Sequence, residues 1–222
     1  MASIAILGGT GPLGRGLALR LAAAGHTVTI GSRDAARAEE AAGELSTADA
    51  MVAGATNQDA VDDSEIVLVA VPYEALRATV DQLTGLESRL VVSCVNPLEF
   101  DDRGPRALPV DEGSAAEVVA AALTKRGSAP RVTAAFHHLS APLLLSGTTA
   151  HDETVLVVGD DADDKATVCA LAGDVVAMPG VDAGPLRNAQ QIEAMTAVLI
   201  AINKRYRTRA GLAITGLGND HN

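Results

Sequence analysis

Tryptophan is absent from these 222 residues, and Tyr and Phe number two each. A core must therefore be built from Ala, Val, Leu and Ile, which suits helices packed tightly on a parallel sheet. Cysteine is nearly absent too. Cys94 and Cys169 stand far apart with no Cys-x-x-Cys spacing. They read as reduced thiols of a cytoplasmic protein, not as a disulfide framework or a metal site. Basic residues are in the minority, 17 Lys and Arg against 28 Asp and Glu, for a formal charge of −11. That argues against nucleic acid and anionic membranes as partners, because both need a net basic face. No apolar run approaches a membrane span. The longest helical one, near Ala194–Ile202, is far too short. Residues 3–8 are apolar but too brief for a targeting segment. There is no Gly-x-Ser-x-Gly elbow, no Ser-x-x-x-Lys pair after the first motif, and no His/Cys/Asp/Glu spacing typical of a metal site.

What is present begins at Ser3. An apolar strand, Ser3–Leu7, runs directly into Gly9-Thr10-Gly11-Pro12-Leu13-Gly14 and then into a helical segment. A lone Gly-x-Gly-x-x-Gly is weak evidence in a chain with 21 glycines. Here it sits between a strand and a helix, with a second strand about 20 residues on, which is the context that gives it meaning. Gly9 permits the tight turn, Gly11 lets backbone approach a pyrophosphate, and Gly14 lets the helix pack against the strand. The helix N-terminus adds free amides and a positive dipole end.

Strand and helix signals then alternate, predicting a Rossmann-like, doubly wound parallel α/β sheet. Helix is expected over Gly14–Ala24, ended by Gly25, and strand over Thr27–Gly31. Asp34–Leu45 follows as a helix with Asp34 as N-cap, then a weak strand at Val52–Ala55 and a short helix at Gln58–Asp62. Ile66–Val71 and Leu90–Val95 are continuous apolar strands, stopped by Pro72 and by Asn96-Pro97, with a helix over Tyr73–Leu86 between them. Residues 99–113 read as a polar loop, and Ser114-Ala115-Ala116-Glu117 as a capping box opening a helix to about Lys125. Beyond it are a strand at Arg131–Phe136, an irregular stretch over 137–153, a strand at Thr154–Gly159 and a helix at Asp163–Gly173. Asp174–Pro179 reads as a strand and Arg187–Arg205 as a long helix with Ile192, Met195, Leu199 and Ile202 on one face.

The end of the second strand, Ile30-Gly31-Ser32-Arg33, lacks the acidic residue that would hold an unphosphorylated ribose. Asp34 comes too late and serves the helix start. Arg33 and Arg37 lie one helical turn apart and can aim two guanidinia at a 2′-phosphate, with Ser32 adding a hydroxyl. Together they favour NADP over NAD, although ordinary surface arginines would look the same. Val71-Pro72-Tyr73 and Asn96-Pro97 mark the carboxyl edge of the sheet, where ligands of open α/β sheets lie. They either shape that site or merely stop strands. His137-His138 follows another strand end, and His137 is as suited to a substrate-side role as to a loop hydrogen bond. His26, His151 and His221 read as surface residues. Lys204-Arg205-Tyr206-Arg207-Thr208-Arg209 concentrates basic charge, either to bind an anionic group or to complement a helix C-terminus.

These segments together resemble the F420H2:NADP oxidoreductase family. The match runs through Leu7–Leu21, Ile30-Gly31-Ser32-Arg33, Val71-Pro72-Tyr73, Asn96-Pro97-Leu98, Phe136–Ala141 and Asp182–Asn188. The resemblance implies reversible hydride transfer between NADP and the deazaflavin coenzyme F420, with positioning in place of a dedicated catalytic side chain and His137 as the one tentative participant. It implies that NADP is held by Thr10, Gly11, Pro12, Leu13, Ser32, Arg33 and Arg37. It places the deazaflavin opposite the nicotinamide, near His137, Ser140 and Ala141. It further implies an NADP-binding region over 1–130, a small C-terminal α/β appendage over 131–222 that closes the cleft (the whole also reads as one compact unit), and a homodimer. Tyr73 stands where many members carry tryptophan, and Arg37 where some carry lysine.

Overall fold

A computed structural model describes residues 1–48, 50–127, 129–146 and 153–217. The chain alternates β1 (Ser3–Leu7), α1 (Pro12–Ala23), β2 (Thr27–Ser32), α2 (Ala35–Leu45), β3 (Val52–Thr56), α3 (Asn57–Asp62), β4 (Ile66–Val69), α4 (Tyr73–Gln82) and β5 (Leu90–Ser93). It continues through β6 (Leu98–Asp101), β7 (Gly104–Ala107), α5 (Ala115–Thr124), β8 (Arg131–Ala134), α6 (Ala141–Leu145), β9 (Leu156–Gly159), α7 (Ala162–Val176), β10 (Val181–Asp182) and α8 (Ala189–Tyr206).

Eight strands form one sheet in the order β10-β9-β8-β5-β4-β1-β2-β3. All neighbours from β3 to β8 are parallel, whereas β9 runs antiparallel to β8. The order reverses between β1 and β4, so their carboxyl ends splay apart into a crevice. Register brings Gly31, Leu7, Val69, Ser93 and Ala134 into line along that edge. The β5–β8 ladder carries the sheet across residue 130, and β9 and β10 extend it.

Alternation along each strand feeds a core on either face. In β1, Ile4 and Ile6 pack with α1, α2 and α7, while Ala5 and Leu7 pack on the opposite side with α3, α4 and α5. Small side chains let the helices lie close. Phe136 is the one fully buried aromatic ring among the described residues.

Several expectations are corrected. Residues 98–107 form an antiparallel hairpin, β6–β7, in which Pro105 faces Phe100. Proline is tolerated because a two-stranded ribbon has free edges on both sides. Asp174–Pro179 is not a strand. Val168, Leu171, Ala172, Val175 and Val176 line the buried face of α7 at helical spacing, the helix runs to Val176, and Ala177 ends it in the left-handed region. The strand that does exist there is β10, only two residues long. The stretch after 137 contains the short helix α6. His26 is not a free surface residue: its Nδ1 accepts from the Ala2 amide at 3.2 Å, and its Nε2 lies 3.0 Å from Asp174 Oδ2. His151 and His221 lie outside the described residues. The N-caps at Asp34 and Ser114 stand as expected.

Phe136 combines a buried ring with a positive φ of 68°, a strained backbone for a bulky residue that surrounding packing must hold. Phe136→Ala is expected to destabilise the protein by about 3–5 kcal/mol in urea unfolding, from cavity formation. A loss below about 1 kcal/mol would show that the ring does not hold the turn after β8.

Candidate active site

The turn after β1 is closed by hydrogen bonds from Gly9 N to Ile6 O (3.1 Å) and from Gly11 N to Gly8 O (2.9 Å). Three of its glycines are compulsory: a Cβ on Gly9 would lie 2.4 Å from Ile30 Cβ and 2.9 Å from Ile6 O. Gly8 has φ +78°, and a Cβ there would lie 2.7 Å from Ala70 O. A Cβ on Gly14 would lie 2.7 Å from both Gly8 O and Gly9 Cα, so α1 begins in direct backbone contact with the turn. Gly11 is the N-cap of α1 and Pro12 opens it; no side chain caps it, and its first turn holds no acidic residue. The positive end of α1 therefore faces the crevice with no acidic side chain of its own first turn beside it.

Across the crevice, Asp34 caps α2. Its Oδ1 accepts from Ala36 N at 3.0 Å and Arg37 N at 3.5 Å, while its own amide donates to Ser32 Oγ at 3.2 Å. Its Oδ1 is thus turned toward the helix start. Arg33 and Arg37 are exposed. They line a cavity of about 620 Å³ together with Thr10, Ser32, Val71 and Pro72. The fold thus gathers six of the expected residues in one place, where Arg33 and Arg37 share the lining with two carboxylates, Asp34 at the α2 cap and Glu74 on α4. The same cavity holds Gly8, Asn57, Glu74 and Thr79, which the sequence pattern does not single out. Asn57 is detectable in retrospect: Thr56 pairs with Ser32, so the first residue of α3 must sit beside Arg33.

The remaining expected residues lie further along the carboxyl edge. Asn96 Nδ2 donates to His137 O at 2.9 Å; Thr196 Oγ1, on α8, lies 3.2 Å from both Asn96 Oδ1 and His137 O. These contacts tie β5, the turn after β8 and α8 together. The His137 ring is 3 % exposed. Burial, helped by neighbouring His138, pulls its pKa down to about 3, so it is a neutral imidazole. Burial likewise lowers His138, partly opposed by the Thr154 backbone. Ser140 opens α6 without a side-chain cap bond, and Ala141 is its first residue. Tyr73 opens α4, packed against the core face opposite α1.

Pro97 also borders a cavity of about 460 Å³ between the β6–β7 hairpin and α8, where Glu193 is found. Glu193 is 2 % exposed. Its carboxylate accepts from Ala115 N at 2.9 Å and Ala116 N at 3.1 Å, and Ser114 Oγ takes the Glu117 amide at 3.0 Å. Helix α8 thereby completes the N-terminus of α5. Burial, with a contribution from the Glu117 charge, raises Glu193 to about 7 despite those two amides. Tyr73 on α4, raised by burial and by Glu112, also feels the Glu193 charge. A larger hollow of about 730 Å³ lies at the start of β8. Three of its four carboxylates have partners: Asp160 accepts from Leu186 N, Asp161 caps α7, and Asp164 pairs with Arg131.

A reversed strand order over a helix N-terminus, with two arginines beside it, defines a protein of α/β dinucleotide-binding architecture. The sequence profile of the family described as NADP oxidoreductase coenzyme F420-dependent matches residues 3–97, from β1 through β5 to the residue before β6. The F420-dependent NADP reductase of Methanothermobacter marburgensis is 38 % identical over 96 % of this chain and 98 % of its own. That of Methanocaldococcus jannaschii is 36 % identical over 96 % and 98 %. The crystal structure of a candidate F420-dependent NADP-reductase from Arthrobacter sp. FB24 superposes with a TM-score of 0.80 at 26 % identity, covering 97 % of this chain and 100 % of that one. The chain belongs to the F420-dependent NADP reductase family.

Two outcomes follow from this geometry. Arg33→Ala should weaken NADP more than NAD by about 1.5–3 kcal/mol in a binding titration; equal weakening would show that Arg33 does not read the phosphate. Glu193 has a folded pKa near 7, above its ordinary 4.5. Its stabilising contribution is therefore complete below about pH 4.5 and is lost as pH rises through about 7. The stability difference between wild type and Glu193→Gln should shift against wild type from pH 5 to pH 8; a pH-independent difference would contradict the raised value.

Proposed function

We propose that this protein is an NADP-dependent reductase of coenzyme F420, passing hydride in either direction between NADP(H) and the deazaflavin. The observation that carries it is near-full-length similarity to curated reductases of that name, joined to a cavity whose two arginines suit a 2′-phosphate. Arg33, Arg37 and Ser32 hold the adenosine end, and the Gly9–Gly14 turn with Thr10, Pro12 and Leu13 takes the pyrophosphate at the α1 dipole. Val71 and Pro72 flank the path to the strand ends. Asn96, Pro97, His137, Ser140 and Ala141 border the acceptor. When both substrates are bound, the nicotinamide and deazaflavin rings supply the hydride donor and acceptor themselves.

The chain's own contribution is placement and exclusion of water. A buried, neutral His137 supports this. Reduction of a ketone or imine calls for an acidic proton donor beside the acceptor, and an imidazole with its charged form suppressed is poorly suited to that task.

In this reading residues 131–222 form the acceptor side of the cleft. Exposed Val198, Tyr206, Ile214 and Leu217 on and beyond α8 support a homodimer through that face. No described helix is long and apolar enough to cross a membrane. Two free cysteines and the acidic surface support a cytoplasmic protein that does not bind nucleic acid.

Mixing the protein with NADPH and oxidised F420 should bleach the long-wavelength absorbance of the deazaflavin, in step with NADPH consumption. An unchanged spectrum with authentic coenzyme, while NADPH demonstrably binds, would overturn this function.

A further inference from the structure

One buried guanidinium joins the dinucleotide helix to the turn on the acceptor side. Arg20, on α1, is 8 % exposed. Its Nε donates to Leu144 O at 2.9 Å, and its Nη2 to Leu143 O at 3.3 Å. Both carbonyls lie at the end of α6, a helix of five residues. So short a helix has almost no stability of its own, and its place must be imposed by neighbours. The terminal carbonyls of a helix present partial negative charge, and Arg20 meets that charge with a fork of donors. One turn earlier on the same face of α1 stands Gly16, where a Cβ would lie 2.7 Å from the Cβ of buried Leu144. Gly16 and Arg20 thus form a dock for α6: the glycine admits its side chain, and the arginine holds its backbone.

Burying this cation is costly, and burial lowers the Arg20 pKa. A purely apolar contact would seal the same seam without that penalty. A guanidinium instead fixes α6 in direction and height, because two carbonyls must meet one rigid fork. The other end of the segment is fixed independently, by Asn96 and Thr196 on the His137 carbonyl. Arg20 lies nine residues beyond the Gly11 cap, roughly 13 Å along the helix axis, so it is remote from the pyrophosphate turn.

We propose that Arg20, with Gly16, is a positioning residue for the hydride acceptor. It sets the height of Ser140 and Ala141 relative to the helix that carries NADP, and so the spacing between the two substrates. This rests on the reading of the chain as an NADP:F420 oxidoreductase.

Arg20→Ala and Arg20→Lys are compared with wild type in three measurements: NADPH Kd by fluorescence titration, steady-state KM and kcat for F420, and amide hydrogen exchange of residues 141–145. For Arg20→Ala, the NADPH Kd should stay within about twofold, while kcat/KM for F420 falls about tenfold or more, since small misplacements near reacting atoms carry costs of that order. Arg20→Lys, which keeps one donor, should recover part of the loss. Exchange in 141–145 should quicken in Arg20→Ala while the Gly9–Gly14 turn is unchanged. If Arg20→Ala fails to fold, Gly16→Ala, which displaces Leu144 but keeps the arginine, should give the same selective loss. Parallel weakening of NADPH and F420, or unchanged kinetics and exchange in a folded variant, would overturn the proposal. Absence of F420 turnover in wild type would instead fail the functional reading. The exchange comparison would still decide whether Arg20 holds α6.

Discussion

The contact that organises this molecule is the backbone approach of α1 to the end of β1. Gly14 touches the Gly8–Gly9 backbone with no room for a side chain between them. That closeness brings the start of the helix to the carboxyl edge of the sheet, at the point where strand order reverses. Everything chemical is then measured from α1. Its N-terminus opens on the crevice, its buried face closes one half of the core, and its third turn holds the end of α6. A side chain at Gly14 would tilt the helix and disturb all three together.

Electrostatics is local in this protein. The net charge of −11 would repel an anionic dinucleotide if it were spread evenly. Asp34, next to Arg33, instead turns its Oδ1 onto the α2 amides, and Arg33 and Arg37 line the cavity. The hollow at the start of β8 carries four aspartates, of which Asp160 and Asp161 accept from backbone amides and Asp164 pairs with arginine. The same economy of free charge marks the acceptor side. His137 is neutral, and Glu193 is consumed in capping α5. A reaction that moves a hydride between two bound rings needs fixed positions more than titrating groups, and the contacts among Asn96, Thr196 and the His137 carbonyl supply fixity.

The parts of the fold that were legible in the sequence are those governed by local rules. The glycine turn, the Asp34 and Ser114 caps, and the apolar strands β4 and β5 each follow from a few adjacent residues. What escaped was decided at longer range. Pro105 argued against a strand, but it sits on a ribbon with free edges. Val175 and Val176 suggested β structure, yet the core claimed them as the inner face of α7. Helix α6 has too few residues to announce itself and exists because α1 docks it. At the site, Ser32, Arg33 and Arg37 were readable from their spacing. Asn57 was not, because its place beside Arg33 depends on the β2–β3 register. Nor could sequence show that the His137 ring turns inward while its carbonyl becomes the anchored group.

The central claim is that the fold holds a nicotinamide and a deazaflavin ring against each other for direct hydride transfer. Its most direct test uses NADPH deuterated at the transferred C4 position, with oxidised F420 in ordinary water. The account predicts that the label appears quantitatively at C5 of the reduced deazaflavin. Reduced coenzyme carrying solvent hydrogen at C5 would contradict it, since the hydride would then have travelled by some route other than ring to ring.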